Sequence, residues 1–235
     1  MTELTPLLAN RALTCRGGFH PRPEDNVPEL STGARPGTLV LVGNVGPAMW
    51  QTFTSSPEYL DHRADPLDRW TRRILDELIS DTADFGLIEP LYPFGGPPFM
   101  PFQKWAQRAE PVHPSPTGPL IHPEYGLWHA YRGALAFEQR LEIPAITPSP
   151  SPCADCPDQP CLSTCPVDAF DGRTYDVPAC VGFMTETTGG ESCRLQGCQA
   201  RRACPVGQAF AYEPAQAEFH TSAFLQAQQP GKHHE

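Results

Sequence analysis

Basic residues are scarce in this chain: 17 lysines and arginines stand against 27 acidic residues, giving a formal net charge of −10 over 235 residues. A surface of that sign repels phosphate backbones and anionic lipid headgroups, so a tRNA, DNA or membrane partner is not expected. Long apolar runs are lacking as well, and no stretch approaches the roughly 18 consecutive apolar residues that a membrane-spanning helix needs. The amino-terminal stretch MTELTPLLANRALTCRGGF has an early acid and only short apolar pieces, unlike a secretory leader. These absences lead to the expectation of a soluble, cytoplasmic protein.

Proline is abundant instead, with 29 in the chain, well above the roughly 5% of average proteins. That predicts many extended segments and turns and few long helices. Hydrophobic residues make up 40% of the sequence, enough for an ordinary core ahead of the cysteine-rich part. Nine cysteines in a reducing compartment read as metal ligands or reactive thiols in preference to disulfides.

The run TLVLVGNV, Thr38 to Val45, is short, β-rich and closed by Gly46-Pro47, so it predicts a buried strand. A helix is expected to follow from about Pro47. Asp65-Pro66 offers an N-cap with proline at the first helical position, and Leu67, Trp70, Ile74, Leu75, Leu78 and Ile79 then recur at helical spacing. Gly86 to Tyr92 reads as a second strand, and Pro98 to Ala109 as a short helix carrying Phe99, Phe102 and Trp105. Leu127 to Phe137 fits strand or helix by pattern, and a strand is favoured early in it. The four-proline segment 143 to 152 is aperiodic and is expected to link two parts.

Beyond it, the cysteines fall into two groups: Cys153, Cys156, Cys161 and Cys165-Pro166, then Cys180, Cys193, Cys198 and Cys204-Pro205. In bacterial-type ferredoxins, three closely spaced cysteines wrap one cluster while the fourth, just before a proline, ligates the other. Mapped here, one 4Fe-4S cluster takes Cys153, Cys156, Cys161 and Cys204, and the other takes Cys180, Cys193, Cys198 and Cys165. The spacing of the second group is irregular, which leaves its nuclearity open. Two structural zinc sites with four thiolates each are the alternative, because C-x2-C and C-x4-C also suit tetrahedral zinc. Cys15 stands apart and reads as an ordinary thiol. His233 and His234 read as exposed tail residues and not ligands.

The run from Gly118 through His122-Pro123-Glu124-Tyr125-Gly126, Trp128 and Arg132-Gly133, leading to Leu141-Glu-Ile-Pro144, resembles the segment before the cluster motif in epoxyqueuosine reductases and a segment of CblC-type cobalamin-processing proteins. Phe19-His20-Pro21, the Thr38 to Val45 run, Pro47-Ala48-Met49-Trp50 and Asp65-Pro66-Leu67-Asp68 resemble CblC proteins in order and spacing. The resemblance implies an α+β chain: a nitroreductase-like (CblC-like) domain over residues 1–147, followed by a ferredoxin-like domain with two 4Fe-4S clusters over 148–235. It further implies single electrons passed from the clusters to a cobalamin or flavin (FMN) in the first domain, with a flavodoxin, ferredoxin or reductase as electron donor and a possible small-molecule substrate. The alternative function is a non-catalytic ferredoxin-like carrier whose first domain docks partners.

Candidate residues for the cofactor are His122, Tyr125, Trp128, Arg132, Gly95 and Gly96. His122 is either near a bound ring system or a hydrogen-bonded turn histidine. Tyr125, Trp128 and Tyr131 offer a stacking surface or belong to the core. Arg132 would pair with a propionamide, a phosphate or a neighbouring carboxylate. Gly95 and Gly96 either let the backbone approach a ligand or simply make a tight loop. The catalytic aspartate of epoxyqueuosine reductases has no counterpart in Pro93-Phe-Gly95-Gly96-Pro97, which argues against reduction of a tRNA base.

Overall fold

The computed structural model of the protein describes residues 3–186 and 188–229; His233 and His234 lie outside them. In chain order the elements are α1 (Leu4–Ala9), β1 (Thr14–Phe19), β2 (Thr38–Val45), α2 (Trp50–Thr54), α3 (Pro57–Leu60), α4 (Pro66–Ser80), β3 (Ile88–Leu91), α5 (Phe102–Ala109), β4 (His113–Pro114), β5 (Leu120–Ile121) and β6 (His129–Phe137). After a long irregular stretch come α6 (Pro160–Ser163), α7 (Val177–Glu186), α8 (Glu191–Gln196), α9 (Gln199–Arg202) and α10 (Pro214–Ala227). Among the described residues no helix is long and apolar enough to cross a membrane.

Two compact units emerge, and they are not consecutive in sequence: residues 1–111 group with 129–148, and 112–128 with 149–235. The first unit is built on a four-stranded antiparallel sheet in the order β1-β2-β6-β3. Strand β2 is central, and Leu39, Val40, Leu41 and Val42 are all fully buried, as a continuous run of branched apolar residues requires when both faces are covered. Strand β6 pairs with β2 from His129 to Phe137, with a bulge that leaves Arg132 out of the register, so the segment that fitted either pattern is a strand, beginning at His129. Proline in β3 is tolerated because β3 is an edge: Pro90 has no N–H to offer an outer neighbour.

Helix α4 buries Leu67, Trp70, Thr71, Ile74, Leu75 and Leu78, the spacing of one helical face. Ile79, expected on that stripe, is only half-buried. Asp65 occupies the N-cap position with a left-handed backbone, φ 51°, and makes no side-chain cap bond. The expected cap is therefore absent, and Pro66 alone marks the start. The helix foreseen from Pro47 begins at Trp50, after a turn closed by the Trp50 N–H to the Pro47 carbonyl at 2.8 Å.

Helix α5 starts at Phe102 and not at Pro98. Prolines 97, 98 and 101 bias the residues before them away from helical backbone, and Phe99 is left 67% exposed outside the helix. Phe102 and Trp105 are buried as expected.

One charged side chain sits deep in this unit. Arg16 on β1 is 1% exposed, and its guanidinium donates to Glu110 through Nε at 3.1 Å and Nη2 at 2.7 Å. Its remaining donors reach the Asn44 carbonyl at 3.3 Å and His129 Nδ1 at 3.2 Å. Tyr131 donates its hydroxyl to the same Glu110 carboxylate, and burial first, then the Glu110 charge, pushes the Tyr131 phenol far up. The group ties β1, β6 and the end of α5 together through charge-assisted bonds.

Candidate functional site

In the second unit, α6, α7, α8 and α9 are short and joined by tight turns. Asp158, Gln159 and Asp168 have left-handed backbones, φ 61°, 38° and 48°, as does Gly197, φ 81°, between Cys193 and Cys198. Turns of this kind bring cysteines distant along an extended chain to a common centre. All nine cysteines are free thiols.

Cys153, Cys156, Cys161 and Cys204 line one small cavity, walled by Ile121, Pro160, Pro205 and Val206. Cys165, Cys180, Cys193 and Cys198 line another, of about 260 Å³, among Trp128, Phe170, Met184 and Phe224. These are the two crossed sets expected from the Cys-Pro pairs: Cys204 joins the first group and Cys165 the second.

The electrostatics follow the same division. Burial pushes the Cys153 and Cys161 thiols up, and so do Cys204 and Cys156, with Cys161 also acting on Cys153. Cys204 is raised by burial and by Cys156, against a backbone N–H from Val206. Burial raises Cys180 and Cys198; Cys193 adds to both, Cys165 to Cys180, and Cys180 to Cys198. Each of these shifted thiols responds to cysteines of its own set. Four thiols crowded in an apolar pocket resist becoming thiolates together, and a cationic iron group at their centre removes that resistance.

Hydrogen bonds to sulfur are already in place. The Ala169 N–H donates to Cys165 Sγ at 3.3 Å. Gln199 Nε2 donates to Cys193 Sγ at 3.7 Å, and the backbone of Arg201 and Ala200 pulls the Cys198 thiol down against its burial, as the Tyr175 hydroxyl does for Cys180. Donors of this kind hold and tune iron-sulfur clusters. Among the described residues, no group of three or more Cys, His, Asp or Glu side chains is arranged to hold a single metal ion. Zinc would need four sulfurs at about 2.3 Å from one point, whereas a cubane carries its thiolates at separate corners. Four thiols to a cavity is a donor set that suits either group by its chemistry.

Of the proposed cofactor residues, His122, Tyr125 and Trp128 lie in this second unit, while Arg132, Gly95 and Gly96 lie in the first. His122 Nδ1 accepts from the backbone N–H of Glu124 at 3.1 Å and of Tyr125 at 3.3 Å. Its ring stacks on Tyr125 with centroids 4.2 Å apart, the geometry of the turn histidine. Gly126 closes the turn with φ 58°, and a Cβ there would come within 2.0 Å of the Val206 carbonyl oxygen. The turn thus lies directly on the chain that follows Cys204-Pro205. Arg132 is half-buried on β6, and Gly95 and Gly96 occupy the loop before α5. Cys15, on β1, is raised chiefly by burial and belongs to neither thiol set.

Sequence reasoning missed Arg201, Tyr212 and Tyr175. Arg201 lies over the rings of Trp128 and Tyr212, at 4.6 and 4.5 Å, and donates to the Leu127 carbonyl. Helix α10, also unforeseen, packs on α8 and brings Phe224 and Thr221 to the second cavity.

No protein-family model and no curated protein matches the chain, but solved structures do. An epoxyqueuosine reductase from Streptococcus thermophilus aligns over 92% of this chain and 69% of its own, with a TM-score of 0.53 and 15% identity. An epoxyqueuosine reductase with a tRNA-Tyr epoxyqueuosine-modified stem loop covers 91% of this chain and 68% of its own, at TM-score 0.48 and 16% identity. A selenomethionine-labelled epoxyqueuosine reductase covers 78%, at TM-score 0.48 and 16% identity, and the present chain spans only 52% of its length. The tRNA-bound neighbour corrects the expectation that tRNA is excluded: net charge is a whole-chain sum and does not forbid a local binding surface. The chain is a mixed α/β protein with the fold of the epoxyqueuosine reductases.

Proposed function

We propose that this protein is an iron-sulfur reductase component that carries two 4Fe-4S clusters, one on Cys153, Cys156, Cys161 and Cys204 and one on Cys165, Cys180, Cys193 and Cys198. The observation that carries this reading is the crossing itself: Cys165 and Cys204, the last cysteine of each group, each line the cavity of the opposite group. Crossed ligation is the signature of two-cluster ferredoxins and has no counterpart in independent zinc knuckles.

Bound clusters supply single electrons at low potential. The chain's own residues exclude water with Ile121, Leu127, Val206, Phe170 and Met184 and donate hydrogen bonds to sulfur from Ala169 and Gln199. In this reading residues 1–147 form a nitroreductase-like domain and 148–235 a ferredoxin-like one. The segment 112–128, which groups with the cysteines, supplies their outer wall. Cobalamin or flavin as the acceptor, with Arg132, Gly95 and Gly96 near it, rests on the family resemblance alone. A flavodoxin, ferredoxin or reductase would load the clusters. Unpaired thiols and oxygen-sensitive clusters suit the cytoplasm.

Anaerobic purification with iron and sulfide analysis tests the reading. The expected result is a brown protein holding about eight irons per chain, with paramagnetic signals after dithionite. Stoichiometric zinc with no iron would reject it.

A further inference from the structure

The second cavity holds a donor with nothing to donate to. Trp128 is 3% exposed and lines the cavity with Cys165, Cys180, Cys193 and Cys198. Its indole Nε1 has no hydrogen-bond partner among the described residues. An indole N–H is a donor only, and leaving a buried donor unpaired is costly enough that native proteins rarely do so.

The ring cannot easily turn to find water. Arg201 lies over it at 4.6 Å and Tyr212 packs against it with centroids 5.5 Å apart. Arg201 is itself anchored on the Leu127 carbonyl, and the Trp128 backbone N–H is fixed on the Tyr125 carbonyl at 3.0 Å. Arg201 and Tyr212 already pack on this ring, so the stacking role foreseen for Trp128 is taken by side chains of the protein. What remains is the N–H edge of a ring that lines the same cavity as four thiols.

We propose that the indole N–H of Trp128 donates a hydrogen bond to a sulfur of the group held by Cys165, Cys180, Cys193 and Cys198. Trp128 is thus a positioning residue that sets the reduction potential of that cluster. The inference rests on the iron-sulfur reading and deepens it. A donor to cluster sulfur favours the reduced, more negative state, so it raises the potential. The other three tryptophans, Trp50, Trp70 and Trp105, belong to the first unit.

The test is Trp128→Phe, which keeps an aromatic ring and removes the donor, followed by a redox titration monitored by paramagnetic resonance. The expected result is a full complement of iron, a lower midpoint for one cluster and an unchanged midpoint for the other. Full iron with both midpoints unmoved would overturn the inference and leave the iron-sulfur reading intact, whereas wild-type protein without iron would overturn both. A measurement on the unsubstituted protein guards against a variant that fails to fold. Indole-¹⁵N tryptophan should show hyperfine coupling to the reduced cluster, and no coupling would overturn the proposal.

Discussion

Cys204 packs beside Cys153 in one apolar cluster with Ile121 and Leu127, although almost the whole cysteine-bearing stretch separates the two in sequence. The last thiol of the second group therefore completes the first cavity, and Cys165 completes the second in the same way. Cys204→Ala should remove the cluster of Cys153, Cys156 and Cys161, lowering iron from about eight to about four per chain. Cys165→Ala should do the same to the cluster of Cys180, Cys193 and Cys198. Iron analysis together with resonance spectra of the two variants distinguishes them; loss confined to each cysteine's own sequence group would show that the crossing is wrong.

Arg16 is the most deeply buried charge in the first unit, and its carboxylate partner Glu110 is only 10% exposed. Truncating one member of such a pair strands the other without solvent, at a cost of about 3–5 kcal/mol. Arg16→Ala should lose that much stability in urea titrations. A loss below about 1 kcal/mol, the range of exposed pairs, would mean that Glu110 finds water or another partner.

Gly126→Ala tests how closely the 122–126 turn rests on the chain after Cys204. The left-handed backbone alone disfavours a side chain by roughly 1–2 kcal/mol, and the added methyl would collide with Val206. The variant should unfold at lower urea and release iron faster from the Cys153 set than from the Cys165 set. Equal release from both would separate the turn from the first cavity.

Glu58 offers a test by pH. Hydrogen bonds from Arg73 hold its carboxyl below the ordinary value of 4.5, at Nε–Oε1 2.6 Å. A depressed carboxyl stabilises the fold above its ordinary value, and the stabilisation is lost as pH falls through the folded value. Wild type should exceed Glu58→Gln by on the order of 1 kcal/mol at neutral pH, Arg73 being partly solvent-exposed. The gap should close below pH 4.5. A gap that persists unchanged into stronger acid would assign the effect to packing.

How much of this was legible depended on how local each signal was. The strand at Thr38 to Val45 and the helix from Pro66 were readable because apolar spacing over a few residues reports burial directly. The pairing of Cys204 with the first group and Cys165 with the second was expected from the cysteine-proline pair that closes each group, a signal that proline alone does not give, since Cys156 also precedes a proline and stays with its own group. The start of α5 was misread because the periodicity of Phe99 and Phe102 outweighed the prolines between Gly96 and Phe102. The Arg16–Glu110 pair joins residues far apart in the chain, and an arginine in a short strand reads as a surface residue. Trp128 was picked out by residue type, but Arg201, which packs on its ring, comes from distant α9. No spacing rule links the two.

The segment 112–128 has a consequence for how such proteins are inherited and dissected. It contributes Ile121 and Leu127 to the wall around Cys204, and Thr117, Pro119 and Trp128 to the other cavity, yet it precedes β6 of the sheet unit. A fragment beginning at Ser149 would keep every thiol of the two sets and still take up less iron than the intact chain. The cysteine stretch is therefore no portable cassette: recombination at the proline-rich segment would part the ligands from their shelter.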